Sequence, residues 1–197
     1  MTLTQIKTNF LNSVNECRLL YRHCLTPVGL HSDSGVEASF IQLHNGWEIF
    51  LEETLVALLN GESVVSGDAI TPKFTLADCN LIREVLYQEK PYIEWTQEGS
   101  VKKRFERHLI SPNRISVTLD LITVDFRDII KVRNYIAHSS AQAKMNFVNL
   151  YRSRIGGNPD TSRACNFLKE TDPENSPNTY FDRYLNTLEN AANLMIG

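Results

Sequence analysis

From Phe40 to Leu58 apolar residues recur at spacings of three and four, through Leu43, Trp47, Phe50, Leu51 and Leu55. Only an α-helix places that period on one face. Ser34 with Glu37 three residues on reads as a capping box at its start, and Gly61 as the stop beyond its end. A stripe this continuous must be covered by other helices. The rest of the chain supplies them.

Leu3, Ile6, Phe10, Val14, Cys17, Leu20 or Tyr21, and Cys24 predict a first helix over about 3–25, closed by Pro27 and Gly29. Residues 61–74 read as a loop. Thr75 followed by Asp78 reads as an N-cap for a helix through Leu76, Cys79, Leu81 or Ile82, Val85 and Leu86, stopping before Pro91. Residues 92–97 admit a short strand. A basic helical piece over about 100–110 ends at Ser111-Pro112, and a single central helix is expected over about 116–138. A further helix over 141–155 would use Met145, Val148, Tyr151 and Ile155 as its apolar positions. Residues 156–177 read as irregular, after Gly156-Gly157-Asn158-Pro159 and through Asp172-Pro173 and Ser176-Pro177. A last helix over about 178–195 carries Phe181, Tyr184, Leu185, Leu188 and Leu194. The expected fold is all-α, a helical bundle of four to five main helices in a single domain, 1–197, with a less regular segment at about 156–177.

Hydrophobic residues at 42% and charged residues at 22% suit a globular chain with a real core. Residues 1–10 hold one Lys and no continuous apolar run, so no secretory leader is expected. The longest apolar windows, such as Leu55 to Leu59, are too short to span a bilayer, so a cytoplasmic protein without a membrane partner is expected. Cys17, Cys24, Cys79 and Cys165 form no CxxC and no paired framework, which points to reduced thiols rather than disulfides or a zinc site, and Cys17 and Cys24, seven apart on one helical face, read as core filling. No Gly-rich phosphate loop, HExxH, GxSxG or carboxylate cluster at ligand spacing occurs, so neither a cofactor nor a metal is expected. His44 and Glu48, one turn apart on the flank of the second helix, read as a side-chain pair. His23, His31 and His108 have no evident catalytic partner.

The net charge is −3, yet residues 100–169 hold 13 Lys plus Arg against 5 Asp plus Glu, and the remainder 7 against 18. Such asymmetry suits either a face turned to a polyanion or a solvated surface. Within the basic part lies Val124 to Ser140. At about 100° per residue, Ile122, Phe126, Ile129, Ile130 and Ala137 all fall within about 60° of Arg133. An arginine therefore occupies the centre of an apolar stripe, where a permanent charge is costly unless it is paired. Five residues on stands His138, the side-chain type that titrates near neutrality. An interfacial ion pair with a helix-end histidine is one reading; a phosphate site is the other.

Arg and His together suit cleavage of RNA by its own 2′-OH, which needs proton transfer at two oxygens and a cation for the charge on phosphorus. One histidine per chain is too few for both transfers, and a two-fold dimer would bring a second. In an unbroken helix His138 would point about 140° from Arg133. Either the helix ends near Ala137, or the two residues act from different protomers.

Arg133-Asn134-Tyr135-Ile136-Ala137-His138 resembles the motif of the HEPN superfamily, in which four to six residues separate Arg from His and a polar residue often follows the Arg. The run Leu43 to Leu55, LHNGWEIFLEETL, resembles the Trp-Glu helix of RiboL-PSP and related bacterial HEPN ribonucleases. The likeness covers about residues 35–60, 115–150 and the last helix. It implies a metal-independent endoribonuclease, active as a homodimer with a composite cleft, in toxin–antitoxin or antiphage defence settings, with RNA as substrate and an antitoxin or other regulatory protein as partner. Carried over, His138 is the general acid/base and Arg133 the phosphate and transition-state stabiliser. Asn134 orients His138 or the phosphate, and Glu48 pairs with Arg133 or supports the site. Ser140 stands where one HEPN subgroup has a tyrosine that is a modification target, so that mode of regulation is not implied. The alternative is a non-catalytic HEPN-like module that binds RNA, a nucleotide or a partner protein through the same residues. A structural bundle is the third reading.

Overall fold

The structure is a computed structural model and describes residues 1–26, 32–64, 70–88, 95, 98–138, 140–157 and 163–197. Among these the chain is all-α. The helices are α1 (Leu3–Cys24), α2 (Ser32–Leu59), α3 (Cys79–Tyr87), α4 (Glu98–His108), α5 (Arg114–Leu121), α6 (Thr123–Ala137), α7 (Ala141–Arg154), α8 (Ala164–Lys169) and α9 (Tyr180–Ile196). Extended pairing among the described residues is confined to two isolated bridges, Pro72 with Leu109 and Thr171 with Thr179.

Two compact units are formed, with boundaries inside α1, α2 and α9 and at the start of α6. One comprises Met1–Asn12, Gly46–Thr123 and Leu188–Gly197; the other comprises Ser13–Asn45 and Val124–Thr187. In the first, Trp47 packs on Phe10 and Phe50 at ring separations of 5.5 and 5.3 Å, and Leu51, Leu55, Phe105, Ile115 and Leu119 are buried with them. In the second, Tyr21 stacks on Phe181 at 4.0 Å, and Phe40 meets Phe181 and Tyr184 edge-on. Phe167 joins this core by stacking on Tyr180 at 4.6 Å. Apolar burial of this kind is the main driving force for such packing.

The helix ends follow local chemistry. Beyond α2, Gly61 has φ +93°, and its N–H reaches the Leu58 carbonyl while that of Glu62 reaches Ala57. This is a Schellman closure, as expected of Gly61. At the other end the expected capping box is not made: α2 begins at Ser32, and the Glu37 carboxylate instead accepts from Arg163 Nη2 (2.9 Å) and the Cys165 N–H (3.3 Å). The cap of α3 is Asp78, which accepts from the Asn80 N–H at 2.8 Å, so the helix starts at Cys79, four residues after Thr75.

The single helix expected over about 116–138 is two helices. Ile122 breaks it, at φ −94° and ψ 2°. On both sides threonine hydroxyls donate to the carbonyl four residues back, Thr118 to Arg114 and Thr123 to Leu119, and such local bonds favour bending or interruption. The buried face of α7 is Ala143, Phe147 and Leu150 rather than the expected Met145, Val148, Tyr151 and Ile155, of which Met145 is 52% exposed. The segment 156–177 contains α8, whose Ala164, Cys165, Phe167 and Leu168 are all buried. His44 is buried, not on a flank, and Leu194 is exposed. The strand considered for 92–97 lies outside the described residues except for Trp95, which is buried. Cys17, Cys24 and Cys165 are buried free thiols; burial pushes Cys17 up to about 11, which makes it a packing group rather than a nucleophile.

Gly61 and Gly99 should respond oppositely to alanine. Neither has a neighbour that a methyl would meet, but Gly61 holds a positive φ and Gly99 is helical. Gly61→Ala should cost about 1 kcal/mol, and Gly99→Ala should gain about 0.5–1 kcal/mol, as read by denaturant unfolding.

Candidate functional site

Every contact described for Arg133 and His138 falls within the second unit and rests on α6. Two acids near the start of that helix fix it. Asp128, only 4% exposed, accepts from Arg154 Nε and Nη2 on α7 at 2.9 and 2.8 Å and from Lys131 at 3.1 Å. Asp125 accepts from Arg183 Nε and Nη2 on α9 at 3.0 and 2.9 Å and from the Thr187 hydroxyl at 2.7 Å. Arg183 Nη1 also reaches Asp172 and Glu174, at 3.3 and 2.6 Å. Charges withdrawn from water this far are held in place by their partners.

The buried face of α6 is Phe126, Asp128, Ile129 and Val132, turned toward Val132 from the stripe expected around Arg133. Arg133 is therefore half-buried at the margin, with Ile130 half-buried and Ala137 exposed. Its Nη1 donates to Asn134 Oδ1 at 3.0 Å and lies 3.2 Å from His138 Nε2. Its Nε is buried without a hydrogen-bond partner among the described residues. A guanidinium only donates, so Nε2 can hydrogen-bond to it only as the acceptor.

The chain geometry explains the approach. The helix ends at Ala137, and the His138 N–H makes one more bond to the Asn134 carbonyl at 2.9 Å. Past that bond the ring swings back toward Arg133. The helix end that the sequence allowed near Ala137 is present, and it brings the two side chains together within one chain. The Asn134 side chain meets Arg133, and its backbone carbonyl meets the His138 N–H. Glu48 is half-buried on α2 and belongs to the first unit.

His138 opens on a cavity of about 300 Å³ that is also lined by Glu37, Tyr135, Ser140, Lys144 and Arg163, with Ile136 and Ala164 as its apolar wall. The Tyr135 ring is backed by Phe147 at 4.2 Å and 4°. Ser140 caps α7 by accepting from the Ala143 N–H at 3.2 Å. Arg163 is committed to Glu37 at 2.9 Å and also faces Asp33 at 3.8 Å. The Lys144 ammonium is exposed and has no ion-pair partner among the described residues.

Sequence reasoning missed this cavity. Glu37 carried only a capping signal, and Tyr135 and Phe147 are brought together by tertiary packing that no spacing reveals. The basic stretch is also redistributed: Lys102, Lys103, Arg104, Arg107 and Arg114 belong to the first unit, and Arg127, Lys131, Arg133, Lys144, Arg152, Arg154, Arg163 and Lys169 to the second. That second unit holds 11 Lys plus Arg against 10 Asp plus Glu. Positive charge there is local, not general. Among the described residues no three His, Cys, Asp or Glu side chains gather at metal-holding distance, and no helix is long and apolar enough to cross a membrane.

The network beneath the site should govern acid stability. Burial pushes the Asp172 carboxyl up, but hydrogen bonds from Asn175 and the Glu174 N–H, with the charge of Arg183, outweigh it and hold the group below its ordinary value. A depressed folded value stabilises above the unfolded value, about pH 4, and is lost as pH falls through the folded one. Asp172→Asn should lower the Tm by several degrees at pH 7. The difference from wild type should shrink below about pH 4.

No family model, curated protein or solved structure matches the chain.

Proposed function

We propose that this chain is a metal-independent endoribonuclease of the HEPN type. The observation that carries the reading is the 3.2 Å approach of Arg133 Nη1 to His138 Nε2 at the end of α6, on a cavity that also presents Lys144. A forked cation and a proton-transfer group within one phosphate's reach are what transesterification of RNA requires.

In the reaction the 2′-OH loses its proton to a base and its oxygen attacks the adjacent phosphorus. The bond from phosphorus to O5′ breaks, and that oxygen takes up a proton. The products end in a 2′,3′-cyclic phosphate and a 5′-OH, so atoms and protons balance. Arg133 binds the non-bridging oxygens and offsets the charge that develops on them. His138 supplies one proton transfer through Nε2 once Arg133 turns from it to the phosphate. His138 of a second copy supplies the other in a homodimer. Asn134, bonded to Arg133 at 3.0 Å, aims the guanidinium; Glu48 is assigned a supporting role by the family likeness alone. A setting in the cytoplasm, in defence or toxin–antitoxin systems with a restraining protein partner, belongs to the same proposal.

One observation favours the second reading, a non-catalytic module that clamps RNA, a nucleotide or an acidic partner. Nε2, the atom a base must offer, is engaged by Arg133 in this structure.

The deciding experiment is digestion of total RNA in EDTA with mapping of the 3′ ends. Wild type should leave 2′,3′-cyclic phosphates. His138→Ala and Arg133→Ala should each lose about 10²–10³-fold in rate while keeping the helical circular dichroism of wild type. RNA binding without cleavage by the wild-type protein would favour the clamp.

A further inference from the structure

We propose that the cavity beside His138 is a nucleotide subsite: it takes the nucleoside that carries the attacking 2′-OH, and Lys144 holds that nucleoside's 3′-phosphate. The proposal rests on the ribonuclease reading for its place in the reaction, but its binding chemistry stands on the cavity alone. The volume of about 300 Å³ lies at the small end of ligand sites and suits one nucleotide rather than a longer segment. Its walls divide by chemistry. Tyr135, Ile136 and Ala164 offer apolar surface to a base or ribose, and the Tyr135 ring is stiffened by its stack on Phe147 at 4.2 Å.

The charges then select the ligand. Arg163 lies between Glu37 and Asp33 at 2.9 and 3.8 Å, and Lys169 holds Asp33 at 2.8 Å. Lys144 is the cation on this lining with no ion-pair partner among the described residues. One uncommitted ammonium matches one phosphate. The Glu37 carboxylate on the same lining repels a second phosphate and accepts from a hydroxyl or amino group of the nucleoside. His138 and Lys144 line the same space, so a phosphate at its edge is shared between the subsite and the reacting pair.

Binding of adenosine, guanosine, cytidine and uridine 3′-monophosphates, each compared with inorganic phosphate, tests this by calorimetry on the full chain. At least one nucleotide should bind wild type about tenfold or more tightly than phosphate does. Lys144→Met, at an exposed position, should weaken that nucleotide about tenfold, the equivalent of one charge-assisted hydrogen bond. Ile136→Trp, at a half-exposed position, should fill the cavity and remove the advantage over phosphate. Cleavage by the wild-type protein separates the two readings. If wild type cleaves RNA in EDTA and binds a nucleotide in a Lys144-dependent way, both readings hold; if wild type never cleaves yet binds in a Lys144-dependent way, the subsite stands and the nuclease falls. Equal affinity for phosphate and all four nucleotides, or binding indifferent to Lys144→Met, overturns the subsite.

Discussion

The second unit depends on two aspartates of α6, Asp128 buried and Asp125 half-buried, whose charges neighbouring helices must meet. Asp125 and Asp128 each receive an arginine from another helix, Arg183 from α9 and Arg154 from α7. Replacing such an ensemble by apolar residues is often neutral in energy, whereas removing one partner costs several kcal/mol. Its contribution is thus geometric. It fixes the rotation of α6, and the rotation decides which residues of the last turn face the core and which face the cavity. Phe126, Ile129 and Val132 go inward with Asp128, and Arg133 is left at the margin.

Helical period carried much of the fold, because a stripe such as Phe40 to Leu58 has no other solution. The errors occur where polar atoms override the stripe. At Ile122 the apolar spacing continues without a gap, but the threonine hydroxyls at 118 and 123 bond back to the chain and the helix breaks. On α7 the small Ala143 is buried while Met145 faces solvent; hydrophobicity alone ranks them the other way. Residues 164–169 follow a run rich in Gly, Pro and Asn, which hid the short helix that Phe167 anchors by stacking on Tyr180.

The site was legible in part for a physical reason. A permanent charge among apolar neighbours is conspicuous in one dimension, so Arg133 and His138 could be singled out from their types and spacing. The burial of Asp128 could not. It needs Arg154, 26 residues away, and nothing local announces that pairing. The cavity is of the same kind: Glu37 and Arg163 stand 126 residues apart in the chain, and their meeting is a property of the packed unit.

The distribution of anchors along α6 has a mechanical consequence. Its first two turns carry Asp125 and Asp128, each tied to a neighbouring helix, whereas its last turn runs from half-buried Arg133 to exposed Ala137 and His138. Local opening is easiest where burial is least and backbone bonds face water. One helix thus has a rigid root and a compliant tip, and the Arg–His pair sits on the tip. The proposed reaction, in which a guanidinium leaves a histidine for an incoming oxyanion, would draw on that freedom and on a root that stays put while the tip moves.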